Sequence, residues 1–202
     1  MVDLAAGTGK LTDGLLALGL DVTAVEPDPG MRAEFARRLP GTRVLDGTAE
    51  RIPLPDDSAD SVLAGQAFHW FDHDAALTEI ARVLRPGGTV VGLWNFHDDS
   101  VPWVAGYMRV SGFARSLSSR AELSPHPSFG EVAQRRFPHG QRHTPESLVE
   151  TLDTHSHMIV ASDDERAAIH ARVREFLGTR PETAHGEFDL PLVTTVLRAE
   201  RR

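Results

Sequence analysis

A short apolar stretch, Val2-Asp3-Leu4, runs straight into Ala5-Ala6-Gly7-Thr8-Gly9 and from there into a helical pattern. Leu11, Leu15, Leu16 and Leu18 give that helix one apolar face, and Gly19 is placed to stop it. A strand that turns through glycines directly into a helix is the opening of a βα unit, which commits the chain to a sheet covered by helices. Glycine tolerates positive φ and lets the backbone come close to a ligand. The helix that follows presents free N–H groups at the same turn, a place suited to a polar or anionic group.

The alternation then repeats over the first hundred residues. Asp21–Val25 reads as a buried strand, and Pro29–Leu39 as a helix with Met31, Phe35 and Leu39 on one face, ended by Pro40-Gly41. Thr42–Leu45 is a short strand, and Asp60–Leu63 begins another after the turn residues Asp56-Asp57-Ser58. His73–Leu84 carries Leu77, Ile80, Ala81 and Leu84 at helical spacing and is stopped by Arg85-Pro86-Gly87-Gly88. Thr89–Trp94 is a strongly apolar strand. Strands this continuously apolar suit a sheet covered on both faces, so the expected fold is α/β, a doubly wound, mostly parallel sheet in a single domain.

The second half is less periodic. Trp103–Phe113 reads as a helix, and Leu117–Pro127 as a polar excursion. Thr144-Pro145-Glu146 opens a helix to about Leu152, with Pro at the first helical position. Ser162 and Glu165 form a capping box before a helix faced by Ile169, Val173, Phe176 and Leu177. Leu190–Leu197 is expected to close the sheet as an antiparallel edge strand. Residues 1–100 thus read as the ligand-binding half of the domain, and 101–202 as an insertion with the closing helices and strand.

Composition narrows the partners. The 202 residues carry a net charge of −8, and residues 1–100 hold 8 basic against 16 acidic side chains. An acidic half lacks the basic face that a phosphate backbone requires, so nucleic acid is not an expected partner. Cysteine is absent, which removes disulfides, thiolate metal sites and cysteine nucleophiles. No apolar run approaches the ~18 residues that span a bilayer, and the first residues do not read as a secretory signal. The expected location is the cytoplasm. His139, His143, His155 and His157 lie within 20 residues, but their spacing matches no familiar metal site and no metal is expected. Lys10 is the only lysine among 21 basic residues, which reads as coding bias rather than function.

Three ligand classes use a turn of this kind. A P-loop would need glycine where Leu4 stands and Ser or Thr where Leu11 stands. A dinucleotide turn would need Gly or Ala at Thr12. The third fits. Asp3-Leu4-Ala5-Ala6-Gly7-Thr8-Gly9 resembles the first motif of the class I S-adenosylmethionine-dependent methyltransferases, with Ala5 in place of the first glycine. Glu26, followed by Pro27, then stands at the end of the second strand, and Asp46-Gly47-Thr48-Ala49-Glu50 follows the third. Arg85-Pro86-Gly87-Gly88 precedes the fifth. Pro53-Leu54-Pro55-Asp56 and Gly65-Gln66-Ala67-Phe68-His69-Trp70-Phe71-Asp72 are similar to the small-molecule type 11 branch, which includes trans-aconitate methyltransferases.

The resemblance implies a Rossmann-like domain that binds S-adenosyl-L-methionine and releases S-adenosyl-L-homocysteine. It implies that Asp3, Ala5, Gly7, Thr8 and Gly9 shape the methionine end of the site. It puts the ribose hydroxyls on Glu26 beside Pro27, and adenine on Thr48 and Ala49. Gln66 would line the junction with the acceptor, and His69 is the candidate base. The acceptor is expected to be a small molecule, methylated on a carboxylate or hydroxyl oxygen. A second reading is a binding or regulatory protein that keeps the fold without the activity. It draws on the start of the chain, since the family's first strand and covering helices would begin before Met1, so a chain short at its N-terminus is expected. Trp94 reads as core or as a wall of the acceptor pocket. Trp103 and Tyr107 read as helix packing or as a lid. Arg109, Arg115 and Arg120 read as solvated or as partners of an acidic acceptor.

Overall fold

The computed structural model describes residues 1–113, 121–153, 158 and 160–202. Its elements run β1 (Val2–Leu4), α1 (Lys10–Ala17), β2 (Thr23–Val25), α2 (Pro29–Arg38), β3 (Val44–Leu45), β4 (Ala59–Gly65), α3 (His73–Val83) and β5 (Leu84–His97). They continue with α4 (Pro102–Ser111), β6 (Ala133–His143), α5 (Pro145–Leu152), α6 (Asp163–Gly178) and β7 (Phe188–Glu200). All seven strands form one sheet in the order β3-β2-β1-β4-β5-β7-β6.

β1 pairs in parallel with β2 and β4, β2 with β3, and β4 with β5. The expected antiparallel C-terminal strand is also present, as β7, but one place in from the edge. Arg201 donates to the carbonyl of Gly88, whereas Asp98 donates to that of Pro191, so β7 descends as β5 ascends. β6 lies outside β7 as the outermost strand.

The register fixes where ligand chemistry collects. Leu4 is level with Val25, Val25 with Leu45, and Gly65 with Leu93. The next residues along these strands, Ala5, Glu26, Asp46 and Gln66, therefore leave the sheet at one end. That carboxyl end is where open α/β sheets bind ligands.

Two compact units divide the contacts. The first comprises residues 1–94, 121–136 and 195–202 as far as described. It holds a small core of Ala6, Ala24 and Phe35, with Leu39 and Val44 packed against it. The second comprises the described residues of 95–113 and 137–194. Its core joins α4, α5 and α6 through Trp103, Tyr107, Leu148, Leu152, Val173 and Leu177.

Most helix boundaries follow the expected signals. Thr144 caps α5 and Ser162 caps α6, each with a reciprocal capping box. Three details differ. Met31 is exposed rather than on the buried face of α2, because the sheet-facing stripe begins at Phe35. β5 starts at Leu84 rather than Thr89. Ala59 pairs Leu84 while Ser61 already pairs Thr89, so Arg85-Pro86-Gly87-Gly88 bulges opposite Asp60 on the β4 side, while Gly87 and Gly88 still exchange backbone bonds with Arg201. β6 answers to no expected strand, and its residues from Ala133 to Arg142 are all exposed. Arg115 and Arg120, and His155 and His157, lie outside the described residues, as do residues 117–120 of the expected excursion, while 121–127 form neither helix nor strand.

Candidate active site

The turn after β1 is built on left-handed backbone. Ala5 has φ 55°, Gly7 57° and Gly9 84°. The two glycines differ in purpose. A Cβ on Gly9 would stand 2.7 Å from the Phe35 ring and 2.8 Å from Leu39, so this glycine lets α1 seat against α2. A Cβ on Gly7 would meet nothing within 4 Å, so the space beside it is open to a ligand. α1 then begins without a side-chain cap, and Gly9 occupies the N-cap position.

Glu26 is the charged centre of this end. It is buried to 6% exposure, and each carboxylate oxygen accepts a backbone N–H. Gly7 donates to Oε2 at 2.8 Å and Asp28 to Oε1 at 2.9 Å. A carboxylate offers about four acceptor positions, so about two remain for a ligand that brings two hydroxyl donors. The Gly7 bond also ties the first turn to the end of β2.

Asp3 faces inward, at 1% exposure. Its Oδ2 accepts the Thr12 hydroxyl at 2.5 Å. Burial pushes its carboxyl up to about 6, partly offset by the bonds from Thr12. Thr12, which excludes a dinucleotide turn, is here the partner that holds Asp3. Two arginines that no sequence motif singles out fasten the rest of the turn. Arg32 donates to the carbonyls of Glu26 and Pro27 and pairs with Asp46 at 3.1 Å. Arg38 donates to the carbonyl and hydroxyl of Thr8. Only the folded register brings them there.

Thr48 is exposed and Ala49 buried, and Thr48 and Arg51 exchange reciprocal backbone bonds of 3.2 Å. Gln66 is exposed at positive φ, 57°, and its N–H donates to Leu93 across to β5. A short 3-10 turn, Phe68–Trp70, follows. His69 lies on it, exposed, with its ring 4.6 Å from that of Trp70. Desolvation holds its imidazole below the usual range, which favours the neutral, proton-accepting form. Trp70 is 75% exposed. Trp94 is buried, its ring 5.8 Å from Phe68, and its indole N–H has no partner among the described residues. Trp103 and Tyr107 are buried in the helical core of the second unit, and Arg109 is exposed on α4. The structure therefore brings Gly7 and Glu26 into direct contact, with Asp3 buried and held by Thr12.

Residues 2–92 match the model of a methyltransferase domain. An uncharacterized methyltransferase of Mycobacterium tuberculosis is 40% identical over 200 residues, covering 98% of this chain and 82% of the relative. This chain belongs to the class I methyltransferase family. The malonyl-[acyl-carrier protein] O-methyltransferase of Methylococcus capsulatus is 35% identical over 136 residues, which span 61% of this chain and 49% of that protein. A solved structure named as a type II methyltransferase from Anaeromyxobacter dehalogenans superposes with a TM-score of 0.69 at 26% identity. It covers 99% of this chain and 88% of its own. Among the described residues, no group of acidic or histidine side chains is arranged to hold a metal. No helix among them is long and apolar enough to cross a membrane.

Proposed function

We propose that this methyltransferase transfers the methyl group of S-adenosylmethionine to an oxygen of a small-molecule acceptor, a carboxylate or a hydroxyl. Glu26 carries the reading. It is a buried carboxylate that commits one acceptor position per oxygen to backbone, beside a glycine with open space over it. Those residues fit an adenosine ribose. The bound donor supplies an electrophilic methyl on a sulfonium that departs as a neutral thioether.

In this reading Glu26 takes the ribose hydroxyls, and Gly7 with Ala5, Thr8 and Pro27 lines the cradle. Gly9 and Asp3 shape that cradle from beneath. Thr48 and the Ala49 backbone face adenine. Gln66 borders the junction with the acceptor. His69, neutral and exposed on the next turn, accepts a proton when the acceptor is a hydroxyl; a carboxylate needs no base. Alignment of donor and acceptor supplies much of the rate. The O-methyltransferase relative supports an oxygen acceptor.

Calorimetric titration with S-adenosylhomocysteine tests the cofactor assignment. Sub-millimolar affinity is expected; no heat and no thermal shift would favour a fold retained for binding something else. A methyl-transfer screen over small carboxylic acids and phenols tests the acceptor class. On a hydroxyl acceptor it identifies, His69→Ala should lower turnover and leave S-adenosylhomocysteine affinity unchanged. Equal turnover would remove His69 from the chemistry.

A further inference from the structure

The segment that would face adenine is gripped from behind by an ion pair on α3. Glu79 and Arg82 lie one turn apart, joined by two bonds: Nε to Oε2 at 2.8 Å and Nη2 to Oε1 at 2.7 Å. Together they hold both polar groups of one backbone residue. The N–H of Ile52 donates to Glu79 Oε1 at 2.9 Å, and its carbonyl accepts from Arg82 Nη2, also at 2.9 Å. Arg82 Nη1 reaches further along the same segment, to the carbonyl of Leu54 and to Asp56 Oδ1. The pair holds the Glu79 carboxyl below the usual range, the sign of a carboxylate that stays ionised in place.

That grip is transmitted by short, stiff links. Ile52 is buried, and Arg51 beside it exchanges both backbone bonds with Thr48. Gly47 is closed against the same segment: a Cβ there would stand 2.5 Å from Pro53 and 3.0 Å from the Arg51 carbonyl. The residues between Gly47 and Ile52 thus have little freedom of their own. Their position is set by where α3 holds Ile52.

We propose that Glu79 and Arg82 are positioning residues that fix the adenine-facing segment 47–52 and so set affinity for the adenine end of the cofactor. Neither side chain touches the ligand in this assignment; both act through the Ile52 backbone. The inference rests on the S-adenosylmethionine reading above. A guanidinium fork is needed because one side chain must satisfy a carboxylate and three further acceptors at fixed angles.

The test compares two ligands at a temperature where every variant is folded. S-adenosylhomocysteine contains adenine, and S-ribosylhomocysteine is the same molecule with a hydroxyl in place of adenine. Arg82→Met should weaken S-adenosylhomocysteine by about tenfold or more, the scale of losing one or two well-placed contacts to adenine. Binding of S-ribosylhomocysteine should stay within about twofold of wild type, and Arg82→Lys should fall between. Glu79→Gln, milder in its effect on folding, gives the same contrast where the methionine variant does not fold. Equal weakening of both ligands, or lowered thermal stability with both affinities intact, would overturn the proposal and leave the pair a purely structural clamp. If wild type binds S-ribosylhomocysteine but not S-adenosylhomocysteine, the adenine assignment itself falls. If it binds neither, the cofactor reading falls and takes this inference with it.

Discussion

Ala5 sits in the left-handed region, where a Cβ crowds the following carbonyl and costs about 1 kcal/mol. Ala5→Gly relieves that contact but frees the unfolded chain, so a net gain of about 0.5 kcal/mol is expected from the denaturant midpoint. Glu26→Gln keeps the shape and removes the charge. An amide must also turn its NH₂ toward either the Gly7 or the Asp28 N–H, donor against donor, at a cost of about 1–3 kcal/mol. S-adenosylhomocysteine binding should fall by about tenfold or more, with a lowered Tm. Asp3 gives the chain a pH dependence. Its carboxyl moves from 3.8 to about 6 on folding, so the folded state holds the proton more tightly than the unfolded state. Its favourable contribution is complete below pH 3.8 and is lost as pH rises to 6, an effect of about 3 kcal/mol. Asp3→Asn should flatten the stability slope across that same interval.

Local signals located the helices well because caps and apolar stripes act over one or two turns. Ser162 and Glu165 are legible in sequence as a capping box, and the structure uses both. Ser162→Ala should therefore cost about 1 kcal/mol, read by thermal melting. The strand ends, and the acidic residues that follow them, were legible for the same reason. β6 was not. Gln134, Arg135, Arg136, Pro138 and Gly140 give neither alternation nor apolar content, and only pairing with β7 makes them a strand. The fastenings of the site were hidden too: Arg32, Arg38 and Arg82 act across 5 to 30 residues, and sequence distance carries no trace of that. Trp94 shows the same dependence. Its indole lies over Gly92, where a Cβ would stand 2.4 Å away. Gly92→Ala should cost about 1–3 kcal/mol by forcing the ring aside.

At the scale of the molecule, the sheet ends in a strand whose exposed side chains are mostly polar or charged, with Phe137 the one large apolar group. Proline and charge both protect an edge from pairing with other chains. Here Pro138 removes a backbone donor, while Arg135 and Arg136 add charge. Replacing Pro138 and Arg136 together with valine should produce concentration-dependent association, seen by light scattering, without loss of S-adenosylhomocysteine binding. The strand order also sets a sequence of events during synthesis. β7 is made after every other strand, yet it lies between β5 and β6. The first five strands can close while the ribosome is still working. β6 emerges with no neighbour and waits for about 45 further residues before its partner exists. A guarded ribbon is what such an interval requires, because an apolar one would find other chains first.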